Sequence, residues 1–323
     1  MRAAIYESFG EPAVVLKLGE RDTPEPGPGF VRVRMSRAAI HNHDLWMIRG
    51  EYGVRPPLPA IGGSEAAGVV DAVGEGVTNV RIGDRVAGFA AGTWCELFVT
   101  SAAGLVPLPD TVSDDVGCQL VAMPLSALML LETYAVDPPN FIVQNAANGA
   151  VGKTLARMAK SRQKNVLHLV RSDDAARELA EHGIDGAIST SDPEWRARVK
   201  KTIGDGKILC AIDSVGGKAS GDLLSLLAPS GKLVAFGAMS GEPMQLDPGP
   251  FIFEQVTLEG FWLSKQNAPS PEQSRALVGE LVTLAAKGDL DLPVAGVYPL
   301  ERAAEAARAS VTEGRRGKVL LSK

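Results

Sequence analysis

Four short stretches carry the residue types that could do chemistry. IHNHDLW sets His41 and His43 two residues apart, with Asp44 beside them. GEYGVRPPLP holds Tyr52 between Gly50 and Gly53, ahead of the stiff pair Pro56-Pro57. Such a turn fixes an aromatic side chain with little freedom, either as a hydroxyl donor at a cleft or as a surface anchor. VQNAANGAVGK, from Val143 to Lys153, reads as a loop that approaches a phosphate. NVLHLV ends in Arg171-Ser172, a cation and a hydroxyl at the tip of an apolar run. Paired histidines invite a zinc reading. At i, i+2 in a strand or turn, however, the two rings are expected to project in different directions. They then read as turn or cleft-lining residues.

The phosphate loop is the most specific of these signals. Ala147, Gly149 and Gly152 fall at the three positions of G-x-G-x-x-G, between an apolar run and a helical pattern. Ala147 in the first place widens the turn. Gly149 admits backbone close to a pyrophosphate, and Gly152 lets the helix pack on its strand. Gly149, Ala150, Val151 and Gly152 are therefore candidate cofactor contacts, with the pyrophosphate at a helix N-terminus. An NAD site usually has an acid at the end of the second strand. Here Arg171 and Ser172 stand there, which favours a 2′-phosphate and hence NADPH. The alternative is a solvated surface arginine, and Asp173 works against the phosphate.

The elements that must position these residues change character along the chain. Up to about Pro109, short apolar runs such as VRVRM, AAGVVDAV and CELFVT are cut by Gly and Pro, the pattern of a β-rich domain. From about Asp114, strands alternate with helices: NFIVQNAA, VGKTLARMAKSR, NVLHLV, DDAARELAEHG, AIS, PEWRARVKKTI, ILCAIDSV, KASGDLLSLLA, GKLVAFGA. Alternation of this kind means a parallel, doubly wound α/β sheet. The strand VTLEGFWL closes the series. A helix over SPEQSRALVGELVTLAAKG, with a Ser N-cap and Gly288 at its end, leads to a tail of short strands. The β-rich domain is thus expected from both chain ends, residues 1–113 and 265–323, with a dinucleotide-binding domain over 114–264. In all, 323 residues with 45% apolar content suffice for two packed cores. A net charge of −5 argues against nucleic acid or an anionic membrane as partner. Three dispersed cysteines, Cys95, Cys118 and Cys210, imply reduced thiols in a cytoplasm-like compartment. The N-terminal residues show no signal or transit character, and the longest uncharged run is too short to span a bilayer. A soluble, cytoplasmic protein is expected.

The layout resembles the medium-chain dehydrogenase/reductase superfamily, a GroES-like β-rich catalytic domain with a Rossmann domain. Its zinc alcohol dehydrogenases carry C-x-x-D, G-H-E and a later cysteine. In this chain His41 stands three before Asp44, Ser64 occupies the G-H-E position (Gly63-Ser64-Glu65), and Ala122 lies near the third ligand. Two of three ligands are gone, so no metal is expected. GEYGVRPPLPAIGGSE, AGTW, VQNAANGAVG, LVRS, DSVGGKAS and LEGFWLSK are similar, in order and across nearly the whole chain, to 2-enoyl thioester reductases. That resemblance implies NADPH-dependent hydride transfer to the C=C of an enoyl-CoA or enoyl-acyl-carrier-protein. It gives Tyr52 the part of donor to the thioester oxygen, and Asn145 and Asn148 amide contacts near the cofactor, although turns tolerate Asn in any case. It sets Trp262 near cofactor and substrate, where a buried packing role is the alternative. It also implies cofactor contacts at Phe236, Gly237, Phe261 and Lys318, and a homodimer paired through the edge strand Val256–Phe261. The family's usual I-N-P-S-D-I-N is replaced by Ile40-His41-Asn42-His43-Asp44-Leu45-Trp46, and Trp46 would reshape an acyl pocket. Zinc-independent quinone oxidoreductases share the architecture and are the second reading. A non-catalytic cofactor-binding protein is the third.

Overall fold

The computed structural model describes residues 1–263, 269–290 and 292–323. Two compact units divide the chain, Met1–Met123 with Val278–Lys323, and Pro124–Leu277. The expected boundary at 264/265 lies outside the described residues.

In the first unit the long strand Phe30–Ala39 is the hub. It pairs antiparallel with Glu65–Val73, Leu97–Ser101 and Lys318–Ser322. Val294–Pro299 flanks Lys318–Ser322, and Arg85–Phe89 flanks Glu65–Val73. Both chain ends therefore build one sheet, and Arg2–Tyr6 forms a smaller one with Lys17–Glu20 and Ala60–Ile61. Alternate residues of Phe30–Ala39, namely Val31, Val33 and Met35, are buried, the period of two that one packed face requires. Trp94 is fully buried, and its indole nitrogen donates to the Ala39 carbonyl at 3.1 Å. Its ring lies against the backbone of Gly62 and Gly63, where a Cβ would come within 2.4 and 2.1 Å of it. Only glycine fits there, and Ser64 and Glu65 follow directly.

Two helices in this unit carry no strong sequence signal. Asn42–Arg49 occupies the stretch expected as strand or turn. It starts because the Asp44 carboxylate accepts the His41 N–H at 2.8 Å, and it stops at Gly50 (φ 77°). Ala303–Ser310 buries Ala303, Ala306 and Ala307 between the two short strands expected in the tail.

The second unit is a six-stranded parallel sheet. Its order is Ile188–Ser189, Val166–Val170, Phe141–Gln144, Ile208–Asp213, Lys232–Ala235, Thr257–Gly260. Counted along the chain this is 3-2-1-4-5-6, and the order reverses between the first and fourth strands, where such sheets bind ligands. The helix Ala150–Ser161 follows the first strand and buries Gly152, Leu155, Ala156, Met158 and Ala159. The last strand, Thr257–Gly260, is shorter than the VTLEGFWL run and forms the sheet edge. Pro271–Lys287 is helical as expected, with Ser270 Oγ accepting from Gln273 N at 3.1 Å and Gly288 at φ 77°.

Candidate active site and cofactor loop

The first unit gathers the histidines, Tyr52 and the GGSE segment. His41 precedes the helix Asn42–Arg49 and His43 stands in its first turn. Their rings do not diverge as i, i+2 spacing in a strand implies: they stack, with centroids 5.1 Å apart and planes 13° from parallel. The helix turn is the physical reason, because the two residues straddle the change from extended to helical backbone. His41 Nε2 meets Glu65 Oε2 at 2.8 Å with both side chains fully buried. Glu65 also accepts from the Val121 and Ala122 backbone N–H groups. His43 Nε2 meets Ser64 Oγ at 2.6 Å. The Tyr52 ring lies 5.7 Å from the His43 ring, and Phe89 lies 6.3 Å from it.

Burial dominates the electrostatics. It pushes Glu65 up to about 8, against the two backbone N–H groups and the Lys318 charge that favour its carboxylate. It brings Lys318 down to about 8, where Arg315 adds repulsion and Asp44 and Glu65 resist. Burial also lowers both histidines, so neutral imidazoles are the forms at neutral pH. Lys318 thus sits in the field of Asp44 and Glu65, a placement its sequence neighbours do not reveal.

A zinc ion does not fit these residues. His41 is committed to Glu65 and Ser64 to His43, and Ala122 offers a methyl group. Among the described residues no group of three His, Cys, Asp or Glu could hold a metal.

The second unit carries the loop. Ala146 adopts a left-handed conformation (φ 47°), and its carbonyl accepts the Gly149 N–H at 2.9 Å, closing a turn that contains Ala147. At Gly152 a Cβ would lie 2.5 Å from the Ala147 carbonyl oxygen, so the helix can start this close to the strand only without a side chain. Asn145 is buried, and its amide is committed inside the protein: Nδ2 donates to Asp213 Oδ1 at 2.7 Å, and Oδ1 accepts from Ser214 N at 2.7 Å. It clamps the tips of the first and fourth strands. Asn148 is half-buried and Gly149 exposed. Arg171 is exposed, and Ser172 caps the next helix through Ala175 N at 3.3 Å. The N–H groups of Phe236 and Gly237 both donate to the Asp213 carbonyl, at 2.8 and 3.0 Å. The Phe236 and Phe261 rings meet edge-on at 5.9 Å, and half-buried Trp262 follows. Tyr52 and Lys318 belong to the first unit, and the other expected contacts to the second. Glu65 and Asp213 were missed as site-organising acids. The one available signal was Asp213 at the end of the apolar strand ILCAID.

Residues 27–110 match the alcohol dehydrogenase GroES-like domain, and residues 150–282 match the zinc-binding dehydrogenase family. The Bos taurus mitochondrial enoyl-[acyl-carrier-protein] reductase is 33% identical over 312 residues, covering 93% of this chain and 83% of that protein. The chain belongs to the medium-chain dehydrogenase/reductase superfamily. It is an oxidoreductase by membership, and its GroES-like and Rossmann architecture is as expected. Among solved structures of the superfamily, the Escherichia coli quinone oxidoreductase complexed with NADPH superposes with a TM-score of 0.90 at 26% identity, with both chains covered completely. The Pseudomonas syringae quinone oxidoreductase gives 0.89 at 28% identity, again over both whole chains. The zinc in the matched family's description has no counterpart in the donor set around His41. No described helix is long and apolar enough to cross a membrane.

Proposed function

We propose that this chain is an NADPH-dependent reductase that transfers hydride to the C=C of a 2-enoyl thioester. The observation that carries the reading is its likeness, over 93% of its length, to a protein named an enoyl-[acyl-carrier-protein] reductase. The ring of Tyr52 beside His43, in the segment that carries the resemblance, supports it. Bound NADPH supplies the hydride. The chain's own task is to hold the thioester oxygen as negative charge develops there, and the Tyr52 hydroxyl is the donor assigned to it. Residues 1–113 with 265–323 carry catalysis, and residues 114–264 carry the cofactor. The loop Asn148, Gly149, Ala150, Val151 and Gly152 holds the pyrophosphate, and Arg171 with Ser172 the 2′-phosphate. Phe236, Gly237, Phe261 and Trp262 of the second unit are further candidate cofactor contacts, as is Lys318 of the first, with Asn145 fixing the loop.

The edge strand Thr257–Gly260, with Leu258 44% exposed, and the preceding helix Gly249–Phe253, with Ile252 59% and Phe253 82% exposed, support assembly as a homodimer. Three buried, unpaired thiols suit a cytoplasm-like compartment.

Quinone reduction is the second reading, favoured by the 0.90 superposition on a quinone oxidoreductase. NADPH oxidation with crotonyl-CoA, with a longer enoyl-CoA and with a small quinone separates the two. Tyr52→Phe keeps the ring and loses the donor. It should lower enoyl kcat by about 10²–10³ and leave NADPH affinity nearly intact. Faster quinone than enoyl turnover in the parent, or near-parental enoyl turnover in Tyr52→Phe, would reverse the assignment.

A further inference from the structure

One polar ring beside Tyr52 has no part in the reaction as described. His43 presents its Nε2 to Ser64 Oγ at 2.6 Å. One face of its ring is covered by His41, and the rings of Tyr52 and Phe89 wall it at 5.7 and 6.3 Å. Nδ1 makes no hydrogen bond among the described residues and is not a sealed interior atom, since the side chain is 15% exposed. The ring is therefore held at one edge and open at the other. Resting on the enoyl reductase reading above, we propose that His43 is a second hydrogen-bond donor to the thioester oxygen, acting through Nδ1–H beside the Tyr52 hydroxyl, with its tautomer set by Ser64.

A neutral imidazole carries one N–H. When the Ser64 hydroxyl donates into Nε2, the proton stays on Nδ1, facing outward. The Asp44 carboxylate oxygen at 3.5 Å from Nε2 is too far to draw the proton to that side against a 2.6 Å contact. Two donor-bearing rings with centroids 5.7 Å apart can both reach one oxygen at about 2.8 Å each. In the step itself, a C–H bond forms at the β-carbon as the C=C pair shifts toward the thioester oxygen. NADPH is oxidised and the alkene reduced. The two donors hold the oxygen, and the α-carbon takes its proton from water. His43 gives up no proton, so it needs no recharging between turnovers.

The test compares the parent with His43→Phe, His43→Gln, Ser64→Ala and the double variant Ser64→Ala with His43→Phe, using crotonyl-CoA and NADPH. His43→Phe should lower kcat by about 100-fold, with KM for crotonyl-CoA and Kd for NADPH changing by less than about threefold. His43→Gln, which restores an N–H donor, should recover about tenfold of that loss. Ser64→Ala should cost about tenfold alone and nothing further once His43→Phe is already present. A kcat for His43→Phe within about threefold of the parent overturns the inference, as does a Ser64→Ala loss that persists undiminished without the imidazole. A parent that reduces a quinone but not crotonyl-CoA overturns the functional reading instead, and this one with it.

Discussion

Asp213 offers the sharpest test of how the cofactor loop is held. It ends the strand Ile208–Asp213 fully buried, and its carboxylate accepts four hydrogen bonds. Oδ1 takes Asn145 Nδ2 at 2.7 Å, Val215 N at 2.9 Å and Gly216 N at 3.0 Å, while Oδ2 takes the Ser220 hydroxyl at 2.5 Å. Asp213→Ala strands all four donors. A buried donor without an acceptor costs about 1–3 kcal/mol, so the loss is roughly 4–12 kcal/mol before water enters. Whole domains are stable by about 5–15 kcal/mol, and this variant should therefore be largely unfolded at about 37 °C. Asp213→Asn is the graded case. Its oxygen can stay toward the three N–H donors, and its amide can face Ser220, whose hydroxyl then accepts. What is lost is charge assistance, about 1 kcal/mol per bond across three bonds, or about 3 kcal/mol. Urea unfolding followed through Trp195, buried in the same unit, reads this as a lower midpoint. NADPH should bind more weakly in proportion, because Asn145 loses its anchor. A loss below about 0.5 kcal/mol for Asp213→Asn would refute the claim that the four contacts are made together.

Three further outcomes are expected. Arg171→Ala should remove an NADPH-over-NADH preference of about 10- to 100-fold, read as the ratio of Kd values, and leave NADH binding unchanged; equal affinities in the parent would contradict the 2′-phosphate assignment. Gly152→Ala must displace backbone, since its Cβ falls 2.5 Å from the Ala147 carbonyl oxygen, and should weaken NADPH by about tenfold or more in a fluorescence titration. Burial raises Glu65 from 4.5 to about 8, so its contribution to stability is complete below pH 4.5 and is lost as pH rises to about 8. Relative to Glu65→Gln, the parent should therefore lose urea midpoint steadily between those limits, and a pH-independent difference would show that the raised value is wrong.

The sheet of the second unit was legible because buried parallel strands read as continuous apolar runs and their helices as periodic ones. The loop was legible because Gly152 sits where backbone must approach backbone, three residues after Gly149. The first unit hid more. His41 and Glu65 are 24 residues apart, and His43 and Ser64 are 21 apart, so no local pattern joins them. The helix Asn42–Arg49 was invisible because its start depends on a carboxylate, Asp44, folding back onto the His41 N–H. Misreading that one helix as strand or turn is what made the stacked histidines look divergent. Asn145 shows the opposite limit. Its place near the phosphate loop was evident, but its commitment to Asp213 joins two strand ends that only the sheet brings together.

The strand Lys318–Ser322 lies between Phe30–Ala39 and Val294–Pro299, most of the chain's length away from the hub it completes. During synthesis the hub emerges early, pairs with Glu65–Val73 and Leu97–Ser101, and waits with only its Ala38–Ala39 end unpaired on one side while Pro124–Leu277, a contiguous stretch, can already fold. A ribosome stalled before Lys318 would hold a finished parallel-sheet unit joined to a first sheet still missing one strand. Quality control would meet that species as a sticky, half-made chain, and the first unit would be complete only once Lys318–Ser322 has been made.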